Sequence, residues 1–150
     1  MTELLSLYRQ AEARGIPVYH LPLARVGSLS VMDADGQCYI GMDVQRRLSD
    51  AEERVRLAHE LGHCLTGSFY TRLSSCELRR KSELQADRCA VRSLIPEPEL
   101  SAALRQGVTE PWELAEYFGV DVPTVQKALC LYTQGNLAVE LYFQQQSSDH

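Results

Sequence analysis

The sequence predicts an α+β fold: a small antiparallel sheet packed on a helix pair, followed by a C-terminal helical segment. Three observations predict it. Between Ser28 and Asp43, apolar and polar residues alternate on either side of Asp33-Ala34-Asp35-Gly36, whose residue types favour a tight turn. From Ser49 to Leu94 the period lengthens to that of two long helices. From Thr109 to Tyr132, two shorter helical stretches flank Gly119-Val120-Asp121, an arrangement that resembles a helix-turn-helix.

In chain order, Thr2 can cap a first helix with Leu4, Leu7, Tyr8 and Ala11 as its apolar stripe, and Gly15 stops it. Val18 to Leu23 reads as a strand. Its His20 stands beside apolar residues and is expected to be structural. The hairpin follows, with Leu29 and Val31 on one face of its first strand and Cys38, Ile40 and Met42 on one face of its second. Ser49-Asp50-Ala51-Glu52 is a capping box that starts the next helix. Val55, Ala58, Leu61, Gly62 and Leu65 form its apolar face. Gly62 in a helix interior costs about 1 kcal/mol relative to Ala, so a close neighbouring element is expected there. Gly67 ends this helix, and residues 69–75 form a loop. A second long helix spans about Ser75 to Leu94 and is broken by Pro96 and Pro98. Helices near 99–106, 110–118 and 121–132 follow, with a last element over 137–143. The expected organisation is a domain over 1–108, a packed helical extension over 109–143 and a disordered tail over 144–150.

A chain of 150 residues can bury a real core, and its hydrophobic and charged fractions are ordinary for a globular protein. No apolar run is long enough to span a bilayer, and the first residues lack a signal-peptide pattern, so the cytoplasm is the expected compartment. Five cysteines with no Cys-x-x-Cys pair do not make a disulfide framework or a zinc ribbon, and most are expected to be small core residues. The net charge of −5 argues against a general nucleic-acid binder. Cations crowd the middle of the chain, including Arg79, Arg80, Lys81 and Arg88. After Arg105 the only one is Lys127. The would-be recognition helix is therefore too poor in positive charge for DNA binding.

The chemistry concentrates at His59-Glu60-Leu61-Gly62-His63, a His-Glu-x-x-His pattern. Residues four apart on a helix lie about 40° apart, so both imidazoles reach one cation. Glu60, about 100° round from His59, can act on a water at that cation without being a ligand. A catalytic zinc site needs a third protein ligand. Glu83, twenty residues after His63 on the next helix, is the leading candidate, and Glu77 is the fallback. Asp87, one turn beyond Glu83, is expected to accept the spare N–H of His59 or His63. Glu60 would be general base and then proton donor to the leaving amine. Tyr70 is a candidate for the oxyanion or a substrate contact, as are the clustered arginines. The plain alternative for Glu83 and Asp87 is a pair of solvated charges beside Arg79, Lys81 or Arg88.

Leu57-Ala58-His59-Glu60-Leu61-Gly62-His63, then Glu83-Leu84-Gln85-Ala86-Asp87-Arg88-Cys89-Ala90, then Leu94-Ile95-Pro96, resembles the ImmA/IrrE metallopeptidases of bacteria and their phages. Trp112-Glu113-Leu114-Ala115-Glu116-Tyr117-Phe118 resembles short members of that family. The likeness covers roughly residues 1 to 132. Cys89 departs from it, since an aromatic residue is common there. The resemblance implies a zincin-like fold and a zinc endopeptidase of gluzincin type. His59, His63 and Glu83 would be the ligands and Glu60 the catalytic residue, with zinc as the ion and manganese as the other candidate. It further implies a substrate that is a helix-turn-helix (XRE-type) repressor of a phage or mobile element. The competing reading is a non-cleaving module that binds DNA or a repressor through 110–132. No membrane or nucleic-acid partner is expected, and the expected state is a monomer or weak dimer.

Overall fold

A computed structural model of the chain describes residues 3–71 and 73–133, with Tyr142 and Gln144. Six helices and three strands occur among the described residues, in an α+β arrangement. In order they are α1 (Glu3–Ala13), β1 (Val18–Leu21), β2 (Ser28–Met32), β3 (Cys38–Asp43), α2 (Asp50–Thr66), α3 (Cys76–Leu94), α4 (Glu97–Arg105), α5 (Pro111–Phe118) and α6 (Val122–Leu131). The chain divides into two compact units, Met1–Ala90 and Val91–His150. Of the element expected over 137–143 and the tail over 144–150, all but Tyr142 and Gln144 lie outside the described residues.

In the first unit, the sheet order is β1-β3-β2 and the sheet is mixed, not antiparallel. The Asp33–Gly36 turn makes β2 and β3 antiparallel neighbours, with Ser28 opposite Met42 and Met32 opposite Cys38. That leaves β1 the other edge of β3. A short loop reverses the chain between β1 and β2, so β1 runs antiparallel to β2 and therefore parallel to β3. Asp43 ties this loop down by accepting from the backbone N–H of Leu23, and it also accepts from the Gln45 N–H just after β3. Those bonds, Leu23 first, and the charges of Arg46 and Arg56 outweigh burial and hold its carboxyl below the usual carboxylate range.

The two faces of the sheet differ in chemistry. Ile40 and Met42 are almost fully buried, and Ser28 and Ser30 stand opposite them on the same face. Leu29 and Val31 lie on the other face, with Leu29 against Gly41 and Val31 half exposed. The alternation of β2 is therefore real, but its polar side is the one turned toward α2.

Helix α2 begins as the capping box requires. Ser49 accepts from the Glu52 backbone N–H, and its hydroxyl donates to the Glu52 carboxylate. It ends at Gly67, whose left-handed conformation (φ 66°) lets its N–H cap the His63 carbonyl. Leu57, Ala58 and Leu61 are buried, while Leu65, expected on the apolar face, is 46% exposed. Leu65 lies in the last turn, beyond the point where α3 crosses. That crossing is at Gly62. A Cβ placed there would stand 2.5 Å from the backbone oxygen of Ala86, which is itself fully buried. The glycine in the helix interior is thus explained by a close backbone approach.

Cys38 of β3 and Cys64 of α2 are joined by a disulfide, with Cα atoms 5.9 Å apart. The sequence reading expected small core residues here. The pairing needs no framework, because a strand facing a helix brings two distant cysteines within bridging range. Cys76, Cys89 and Cys130 are free.

In the second unit, Pro96 precedes α4 and Pro98 sits in its first turn, so α4 starts earlier than residue 99. Gly119, with φ 66°, closes α5, and Asp121 caps α6 by accepting from the Thr124 N–H. Leu100, Leu114, Val125 and Ala128 are fully buried in this unit, and the Tyr132 hydroxyl donates to the Ile95 carbonyl.

Gly62→Ala should destabilise the protein by about 2 kcal/mol through overpacking, despite the better helix propensity of Ala. Urea unfolding, read as a lower midpoint at unchanged slope, checks it.

Candidate metal centre

The site is built around the crossing of α2 and α3. His59 and His63 lie three residues before and one after Gly62. Glu83 and Asp87 lie three before and one after Ala86. Pressing Gly62 onto Ala86 therefore brings two imidazoles of one helix against two carboxylates of the other.

His59 Nε2 is 2.8 Å from Glu83 Oε2, and His63 Nε2 is 3.3 Å from Glu83 Oε1. One ligand atom from each of His59, His63 and Glu83 can be chosen so that all lie within 4.8 Å of one another, a group that can hold a metal ion. The other side of each imidazole is also engaged. His59 Nδ1 is 2.8 Å from Asp87 Oδ1. His63 Nδ1 meets the carbonyl of Ser68. Each Nδ1 thus faces an acceptor, which favours the proton there and leaves Nε2, beside Glu83, as the atom that can ligate an ion. The two rings stand edge to face, with centroids 4.9 Å apart.

Burial of the His59 ring works against its charged form. The hydrogen bond with Asp87 and the charges of Glu60, Asp87 and Glu83 outweigh this, and the pKa lies above the ordinary 6.5. Glu60 is buried, and its Oε2 accepts from the Ser28 hydroxyl at 2.8 Å. Tyr70 donates its hydroxyl to Glu83 Oε1 at 2.8 Å. That hydrogen bond, then burial, pushes the Tyr70 pKa above 10. The Arg79 guanidinium lies 5.9 Å from the Tyr70 ring centroid.

His59, Glu60, His63, Glu83, Ser28 and Tyr70 line one open cleft of about 480 Å³. One wall carries His59, Glu60, His63 and Glu83, with Phe69 and Tyr70 beside them. The other is formed by Val26 to Ser30, the start of β2 and the residues before it. Strand β2 pairs with β3 on one side, and among the described residues no strand pairs with its other side.

The structure brings together His59, Glu60, His63, Glu83, Asp87 and Tyr70. It leaves Glu77 in the first turn of α3, outside the metal group. His20 bonds with the Tyr8 hydroxyl away from the cleft. Sequence reasoning missed Ser28, Ser68 and Arg56. Ser28 had a faint signal, a serine on an alternating strand whose partner strand is apolar on the matching face. Ser68 acts through its backbone carbonyl, which carries no residue-type signal at all.

The model of the Peptidase_M78 family, described as the IrrE N-terminal-like domain, matches residues 11–129, which include every residue of the cleft named above. The chain belongs to this family. Peptidase_M78 is a metallopeptidase family, in accord with the α+β fold and with the His59, His63 and Glu83 group. No curated protein matches the chain at a significant level. No helix among the described residues is long and apolar enough to cross a membrane.

A histidine must be neutral to bind a cation. The raised pKa of His59 keeps its proton to higher pH, so affinity for an added divalent ion should fall as pH is lowered through that pKa. Asp87→Asn should weaken binding by about 10–100-fold at high pH and move the fall to lower pH. Calorimetric titration with Zn²⁺ between about pH 8 and about pH 5 checks both. Replacing His59 and His63 together by Ala should abolish stoichiometric metal, as read by elemental analysis.

Proposed function

We propose that this protein is a zinc-dependent endopeptidase acting on one specific protein, a helix-turn-helix repressor of a phage or mobile element. The observation that carries the reading is the position of Glu60. It is a buried carboxylate in the same cleft as a His-His-Glu group, opposite a strand edge. Two imidazole nitrogens and one carboxylate, open to a cleft, match the chemistry of a catalytic zinc site, and manganese is the other ion such donors take.

His59, His63 and Glu83 would hold the ion, with Asp87 and the Ser68 carbonyl fixing the imidazoles. When bound, the ion supplies Lewis acidity. The exposed edge of β2 offers main-chain N–H and C=O groups to an extended peptide, which would bind it by adding a strand. Glu60 would take the proton of the attacking water and pass it to the leaving nitrogen. Since Ser28 occupies Oε2, Oε1 is the oxygen left for that proton. Tyr70, whose hydroxyl is held by Glu83, is placed to touch the substrate or its developing oxyanion once substrate enters.

The non-cleaving reading places function in 110–132. That segment carries one cation, Lys127, which disfavours DNA binding and leaves packing or repressor docking as its role. A location in the cytoplasm follows from a repressor substrate.

Co-expression with a repressor encoded beside it tests the function. Glu60→Gln should reduce cleavage by about 10²-fold or more while metal content is retained. Equal cleavage by both proteins would remove Glu60 from the mechanism. Ser28→Ala should lower kcat by about tenfold with little change in KM, because one oxygen of the base loses its anchor. Ser28→Thr, which keeps the hydroxyl, should restore most of the loss.

A further inference from the structure

Arg56 stands on α2 one turn before Glu60 and lines the cleft opposite the strand edge. Its guanidinium lies over the backbone at Gly27. A Cβ added there would fall 2.0 Å from Arg56 Nη1. Gly27 is fixed in turn, since its carbonyl accepts from the Asp43 N–H. A second guanidinium, that of Arg46, approaches Gly27 from another direction, but it is ion-paired with Asp43 at 3.4 Å. Among the described residues no carboxylate lies within ion-pairing distance of Arg56; Asp43 feels its charge, but that carboxylate is engaged by Arg46 and by the Leu23 and Gln45 N–H groups. Glu60, four residues on, gives its Oε2 to Ser28, and Glu52 is engaged with Ser49.

A half-buried guanidinium in a cleft, with no carboxylate at ion-pairing distance, leaves its fork of donors for a ligand. The natural complement is a carboxylate, bound through two parallel N–H···O bonds. A peptide lying along β2 would pass directly beneath it.

We propose that Arg56 is the specificity-determining residue of this cleft, selecting a substrate with an Asp or Glu side chain close to the scissile bond. This rests on the peptidase reading above. Glycine at position 27 belongs to the same device, because its missing side chain is what lets the guanidinium rest on the strand where the peptide docks.

The test uses the whole 150-residue chain, loaded with metal, and a library of proteome-derived peptides, with cut sites identified by mass spectrometry. Glu60→Gln serves as the blank. The wild type should enrich Asp or Glu at one fixed position beside the cut. Matched Asp and Asn peptides should differ by about tenfold in kcat/KM, the scale of one charge-assisted hydrogen bond. Arg56→Gln should reduce that ratio to near one, and Arg56→Glu should favour Lys or Arg at the same position. Gly27→Ala meets only the flexible ends of the Arg56 and Arg46 side chains, so it should fold and also lose the acidic preference. It keeps the question open to measurement if the Arg56 variants are unstable.

An acidic preference that survives in both Arg56→Gln and Gly27→Ala would overturn the proposal, as would equal cleavage of Asp and Asn peptides by the wild type. Cleavage confined to chain ends and abolished by amidating the peptide C-terminus would assign Arg56 to a terminal carboxylate and overturn it as well. Absence of any cut above the Glu60→Gln blank would instead bring down the peptidase reading, and the proposal with it.

Discussion

The close contact between Gly62 and the Ala86 backbone is the constraint on which the rest of the site depends. Helices with ordinary side chains at their contact pack about 8–10 Å apart, and at that spacing short side chains reach across poorly. A glycine on one helix and an alanine on the other let the backbones approach closely. The residues flanking the contact then meet without stretching. His59 meets Glu83 and Asp87 at hydrogen-bonding distance, and His63 meets Glu83. A bulkier residue at either position would push apart the two halves of the metal group.

Electrostatics in the cleft follow from that compression. Three carboxylates, Glu60, Glu83 and Asp87, surround two imidazoles, and the charge of the acids raises the His59 pKa against the effect of burial. Such an assembly is costly if its charges are unbalanced, because half-buried carboxylates repel one another. The remedy in the protein is local. Ser28 takes one oxygen of Glu60, Tyr70 takes one of Glu83, and Asp87 takes the back of the His59 ring. A dication held by His59, His63 and Glu83 would complete the balance.

The sheet contributes more than a support for α2. Its central strand supplies the apolar face, Ile40 and Met42, against which the helix side of the unit is built. Its edge strand β2 turns serines inward and leaves one backbone edge unpaired, so the same five residues anchor Glu60 and offer a docking edge. The parallel pairing of β1 was not legible in its residues. Val18 to Leu21 reads as a strand in either direction, and only the neighbour already fixed by the β2–β3 turn decides which edge it can take.

The sequence alone determined whatever depends on local spacing. Four-residue separation puts His59 and His63 on one face, the Ser49–Glu52 box starts their helix, and Gly67 stops it, because caps and helical periodicity act within a few residues. It also showed that Gly62 needed a close neighbour, though not which one. Tertiary structure alone decided how distant segments meet. Ser28 reaches Glu60 across thirty-two residues, Cys38 reaches Cys64 across twenty-six, and Arg56 lies over Gly27. The Ser68 carbonyl meets His63 only because the left-handed Gly67 folds the chain back. Such contacts are set by how the helix lies on the sheet, and the residue types involved, serine, cysteine, arginine and a backbone carbonyl, are common enough that nothing in their own neighbourhoods marks them.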